Sequence, residues 1–491
     1  MLFNSYAFVF LFLPIVCLVY FWIGNRGHHR VAVSWLVGAS LFFYGWWNPA
    51  YLGLIMGSML FNYAIGVQLN HRASGHSNRK LILVFGITLN LALLAYYKYA
   101  NFFVDNFNLV ISGNIHLESI VLPLAISFFT FQQVAYLIDA YREETREYNF
   151  LQYCLFVTFF PQLIAGPIVH HKEMMPQFLD DSCYQYNPKK VATGLCLFIL
   201  GLAKKVLIAD ELSVYVSQVF TAAEQGVVLA PIEAWYGALS YTFQLYFDFS
   251  GYADMAIGVA LLFGISLPFN FNSPYKSLNI IEFWRRWHIT LSRFLRDYVY
   301  IPLGGNRLGS FRRYQNLLIT MLLGGLWHGA GWTFIIWGGM HGVMLVVNHQ
   351  WHQLTRFKAN YYLPRQVSIG ISWLITFTCV VFAWVVFRAE SLEVAMQIWK
   401  SMLGFSPFYD SSGSLFYNDL FRKHFSVTKW ILGLTFAVLV LPNSLQIVGL
   451  LPGADKVRFR ANFVWAVLIS ILALHVILNM NNVSEFLYFR F

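Results

Sequence analysis

The chain is written in long apolar runs separated by short polar ones. Ala7 to Ile23, Leu81 to Tyr97, Val367 to Phe387, Trp430 to Leu451 and Phe463 to Leu478 approach or exceed the roughly 20 mostly apolar residues that a helix needs to cross a bilayer. About a dozen such segments follow one another, with no low-complexity linker and no polar stretch long enough to hold a core of its own. The pattern predicts an all-α integral membrane protein in a single polytopic domain, residues 1–491, closed by a last spanning helix and tail at 462–491. Asn101 to Glu118 and Tyr275 to Arg313 are too charged or too broken to span and read as interfacial helices and loops. No convincing internal repeat is visible, which counts against a transporter built from two related halves.

Composition sharpens this picture. Of 491 residues, 58% are hydrophobic and only 11% charged, so water is not the main solvent. The net charge of +10 is that of basic cytoplasmic loops and not of nucleic-acid binding. The basic loop Arg26 to Arg30 then places the N-terminus outside, and the stretches His71 to Lys80, Arg285 to Arg313 and Lys456 to Arg460 inside. The first run has no preceding positive charge and no small-residue cleavage site after it, which reads as an anchor and not a signal peptide. Cys17, Cys154, Cys183, Cys196 and Cys379 show no paired spacing, so neither a disulfide framework nor a metal site is expected.

Chemistry first shows between Glu282 and Val299. On a helical wheel, Glu282, Arg285, Arg286, Arg293, Arg296 and Asp297 share an arc about 120° wide, broken only by Ile289. The opposite arc carries Phe283, Trp284, Trp287, Leu291, Phe294, Leu295, Tyr298 and Val299, with His288 among them. The wheel therefore turns His288 toward the apolar interior. A hydrogen-bonded core histidine explains that placement as well as a catalyst does, but titratable groups inside a membrane bundle are costly and tend to mark sites.

Forty residues on lies GGLWHGAGW, Gly324 to Trp332, in a span with no other ionisable residue from Gln315 to Met340. Its four glycines suggest either tight helix packing or room for a substrate. The packing reading explains the glycines and the tryptophans but not His328, which a leucine would replace more cheaply. A buried neutral imidazole suits removal of a proton from a hydroxyl that attacks an activated carbonyl, so His328 is the stronger general-base candidate. His341 has no second feature beside it and reads as structural.

These segments resemble the membrane-bound O-acyltransferase family, in its bacterial branch that acetylates exported polysaccharides such as alginate. The resemblance runs through nearly the whole chain: FVFLFLP from Phe8, FPQLIAGPI from Phe160, DFSGYADMAIG from Asp248, EFWRRWHITLS from Glu282, IPLGGNR from Ile301, and WHG at Trp327 to Gly329. It implies a ring of tilted helices around a thinned membrane centre, with a tunnel from a cytoplasmic donor entrance to an outer acceptor side. It matches His328 to the family's central catalytic histidine and His288 to its second functional position. Many relatives in other kingdoms carry asparagine at that second place. The resemblance also implies an acyl thioester as donor substrate, acetyl-CoA or an acyl carrier protein, with no bound cofactor. It implies a bacterial inner membrane location, an outer-face hydrolase-like O-acetyltransferase as partner, and a polysaccharide acceptor.

The chain ends FLYFRF, Phe486 to Phe491, on the side that the charge pattern places outside. An aromatic belt at the interface explains this tail. The tail also resembles a C-terminal motif of branch members that work with such a partner, in which case the Tyr488 hydroxyl, deprotonated by His328, is an acyl relay. Peptidoglycan, cellulose or teichoic acid acceptors, the last with a D-alanyl group, fit the same residues. From another class, a transporter or lipid-linked sugar flippase would also want buried histidines, and a membrane scaffold would want none.

Overall fold

The computed structural model describes residues 1–70, 76–118, 120–145, 149–355, 364–406, 424–480 and 486–487. Among the described residues all regular structure is helical. Among the described residues six helices are long and apolar enough to cross a membrane: Ala7–Gly24, Ala50–Asn70, Asn78–Ile111, Pro188–Glu224, Pro231–Leu262 and Arg365–Arg388. Phe463–Leu478 is a shorter apolar helix.

Two expected segments are drawn differently. Asn101 to Glu118 is not a separate element over its first part, since 101–111 continue the Asn78–Ile111 helix. That helix ends at Ser112, whose φ is +52°, and irregular chain follows. The run Trp430 to Leu451 is not one helix either. Its helix stops at Val440, Pro442 cannot continue it, and Asn443 opens a new turn, Ser444–Ile447, through a reciprocal capping box with Gln446.

The chain falls into two compact units. One comprises the described residues of Met1–Leu202, Tyr252–Phe269 and 459–487. It is built round a phenylalanine cluster, with Phe160 between Phe12, Phe43 and Phe263 at ring distances of 5.2, 5.4 and 5.8 Å. The buried Asp139 carboxylate meets His171 Nδ1 at 3.3 Å in the same unit. The start of the aromatic tail also belongs here. Phe486 is buried and stands edge-on to Tyr252 at 4.7 Å, so this part of the tail is packed in the core and is not an interfacial belt. Tyr488 lies outside the described residues.

The other unit comprises Ala203–Gly251 and Asn270–Arg458. It holds a buried ammonium: Lys205 Nζ lies 2.7 Å from Asp248 Oδ1 and 2.9 Å from Asp210 Oδ1. Lys205 sits in a π-helical turn, Lys204–Ala209, of the kind that re-aims side chains at functional positions. The unit's largest helix pairing is a hairpin of Gly309–His328 and Trp332–Thr355.

Glycines set the hairpin's spacing. A Cβ on Gly338 would stand 2.3 Å from the Met321 carbonyl oxygen, and one on Gly325 would stand 2.2 Å from that of Phe334. Tight packing is therefore the reading that holds at Gly325, and also at Gly329, whose Cβ would strike the Phe334 ring at 2.2 Å. Gly324 and Gly331 are looser, with nearest atoms at 3.1 and 3.6 Å. Gly338→Val is expected to force the helices apart and cost about 1–3 kcal/mol, read as a lower thermal unfolding temperature of the solubilised protein. Gly339→Ala, whose Cβ meets only Leu322 at 3.4 Å, is expected to unfold with the wild type.

Candidate functional site

The predicted continuous helix Glu282–Val299 is broken at its histidine. Ile280–Arg286 forms one short helix and Ile289–Leu295 another, with His288 between them at φ +41° and ψ +54°, in the left-handed region. The left-handed conformation costs a non-glycine residue about 1–2 kcal/mol, so surrounding bonds must impose it. They do. Asn272 N–H donates to the Arg286 carbonyl and Ile289 N–H to the Asn270 carbonyl, both at 3.0 Å. The Thr290 hydroxyl donates to Asn270 Oδ1 at 2.6 Å, and Asn279 caps the first helix by accepting from Glu282 N–H. The wheel fails as a continuous wheel because the segment 270–272 captures the backbone on either side of residue 288.

His288 is nonetheless fully buried, edge-on to Phe249 at 4.8 Å. Burial pushes its imidazole down to about 3, so it is neutral throughout the physiological range. The basic arc is partly neutralised: Arg286 pairs with Glu282 at 2.8 Å and Arg296 with Asp297 at 2.7 Å, while Arg285 is exposed.

His328 is the last residue of the Gly309–His328 helix, where the hairpin turns. It is buried within a set of rings: Trp327 at 5.0 Å, Trp337 at 5.1 Å and Phe387 at 5.2 Å. Trp327 also lies 6.1 Å from His288, so one indole stands beside both histidines. The structure thus brings His288 and His328 into one neighbourhood of the same unit.

A third histidine, read from the sequence as structural, lies close by. His341 is fully buried one ring further on, 4.8 Å from Trp337, and its Nδ1 accepts a hydrogen bond from Trp284 Nε1–H at 3.2 Å. The two partners are 57 residues apart, and no spacing rule joins them. The only sequence signal was Trp284 itself, an indole N–H on the apolar arc that needed an acceptor. Trp384 completes the box, stacked on Trp337 at 5.6 Å.

This arrangement offers buried imidazoles in a setting of apolar rings, where proton transfer to or from a hydroxyl is the available chemistry. Among the described residues no group of three or more His, Cys, Asp or Glu side chains could hold a metal ion.

Residues 111–387 match the family described as MBOAT, membrane-bound O-acyltransferase. The chain is 48% identical over 430 residues to a peptidoglycan O-acetyltransferase of Helicobacter pylori, covering 82% of this chain and 80% of that one. It is 43% identical over 410 residues to a probable alginate O-acetylase of Pseudomonas aeruginosa, covering 82% and 75%. A teichoic acid D-alanyltransferase of Streptococcus thermophilus is 32% identical over 257 residues, covering 48% and 58%.

The backbone at residue 288 predicts an order of tolerance. His288→Asn is expected to unfold about 1–2 kcal/mol later than His288→Val, because asparagine accepts the left-handed region and a β-branched residue does not. Thermal unfolding of the two variants side by side checks this.

Proposed function

The chain belongs to the membrane-bound O-acyltransferase family, and from that membership we propose that it acetylates an exported polysaccharide with His328 as general base. It is an acyltransferase embedded in a membrane; the donor, acceptor and residue roles are our reading. The observation that carries this reading is the burial of His328 at the turn of the glycine-tight hairpin, among Trp327, Trp337 and Phe387.

In this reading His328 takes the proton of the attacking hydroxyl. The oxygen adds to the thioester carbonyl carbon, the C–S bond breaks, and the proton passes to the departing thiolate. His288, neutral and held rigidly beside Trp327, orients the reacting group. Acetyl-CoA is the donor we favour over a D-alanyl carrier, since the relatives similar over most of their length are named for O-acetyl transfer. Alginate and peptidoglycan are the acceptors to try. The chain would work in a bacterial inner membrane with both termini periplasmic, taking the thioester from the cytoplasm and serving an outer-face transferase. Tyr488 is the proposed relay, its hydroxyl carrying the acetyl group as an ester before the partner receives it.

Purified protein given radiolabelled acetyl-CoA and an acceptor glycan is expected to transfer label, and His328→Ala to lose at least about 100-fold in rate. Full transfer by His328→Ala would remove the general-base assignment. In cells, Tyr488→Phe is expected to abolish polysaccharide acetylation; undiminished acetylation would end the relay.

A further inference from the structure

Beside His328 stand two buried N–H groups that the proton-transfer chemistry does not use. Trp284 donates to Nδ1 of His341, so that nitrogen carries a lone pair and, in the neutral ring, the proton sits on Nε2. Among the described residues His341 Nε2 has no hydrogen-bond partner, and neither does Trp337 Nε1. Both side chains are essentially inaccessible, His341 at 0% and Trp337 at 1% exposure. A buried donor left without an acceptor bears its full desolvation cost, and such groups in native structures call for an explanation. Phenylalanine at 337 and leucine at 341 would fill the same box without that cost.

The two donors are also adjacent. Their rings lie 4.8 Å apart, and Trp337 is 5.1 Å from His328. The missing partner is therefore an acceptor that arrives next to the candidate base. A carbonyl oxygen has two lone pairs and can accept from both. The remaining walls are the ring of Phe387 and the indole of Trp384, which carries a buried Nε1–H of its own; their ring faces are apolar, which strengthens any charge–dipole contact made there.

We propose that Trp337 Nε1–H and His341 Nε2–H form the oxyanion site of the transfer reaction, receiving the carbonyl oxygen of an acyl thioester. Trp284 is a positioning residue, since its hydrogen bond fixes the tautomer that makes His341 a donor. When the substrate oxygen bonds to the carbonyl carbon, the carbonyl π pair moves onto oxygen and is stabilised by the two N–H groups. The pair returns as the C–S bond breaks and the thiolate takes the proton held by His328. The assignment rests on the acyl-transfer reading above.

The test uses the full chain in lipid nanodiscs with labelled acetyl-CoA and acceptor glycan. Trp337→Phe and His341→Phe, each confirmed as folded by thermal unfolding, are expected to lower kcat by about 100-fold or more while the KM for acetyl-CoA stays within about threefold. A kcat near the wild-type value in both variants, or a loss confined to KM, overturns the oxyanion site while leaving His328 in place. Absence of label transfer by the wild-type protein overturns the acyl-transfer reading and this one with it. A readout that needs no change at 337 or 341 is the infrared carbonyl stretch of 1-13C-acetyl-CoA bound to His328→Ala. It is expected below the frequency of the free thioester, and a band at the free frequency refutes the two-donor contact.

Discussion

At the two points where Gly325 faces the Phe334 carbonyl and Gly338 the Met321 carbonyl, there is no room for even one methyl group. That backbone contact fixes how far the Gly309–His328 helix stands from the Trp332–Thr355 helix, and so where each side chain of one falls against the other. His328 closes the first helix, and Trp337 and His341 lie one and two further turns along the second. A looser hairpin would carry the same residues without bringing their rings within about 5 Å of one another. Small residues at a membrane helix interface thus set the site's dimensions as well as the pair's affinity.

A second constraint is the intolerance of an apolar medium for unpaired polar groups. Lys205 is buried only because Asp248 and Asp210 share its ammonium; removing one partner of such a cluster typically costs several kcal/mol. Asn62 and Asn90, paired amide to amide at 2.7 and 3.1 Å, follow the same rule at lower stakes. Against that background, the polar atoms of Trp337 and His341 are distinguished by lying together next to His328.

Much of this was legible in the sequence. Apolar runs such as Ala7 to Ile23 and Val367 to Phe387 became helices within a few residues of their expected ends, because length and hydropathy act locally. The inward placement of His288 was legible too, although the helix that predicted it is broken at that residue. The break was hidden because its cause, the segment 270–272, touches the backbone and leaves no mark in the apolar pattern. His341 was passed over for a related reason: its partner Trp284 is distant in sequence and sits across a fold that only the tertiary structure closes. Periodicity sees which way a side chain points, and not what meets it.

The left-handed backbone at residue 288 also acts as a filter on evolution. Few side chains tolerate that conformation, and asparagine is foremost among them after glycine. A histidine codon becomes an asparagine codon by a single base change. A lineage can therefore exchange a titratable ring for a non-titratable amide there in one step, with little cost to the chain trace. The fold leaves that position open to chemical drift while closing it to most other residues, and this supplies a physical route by which histidine and asparagine can alternate at one place in a family.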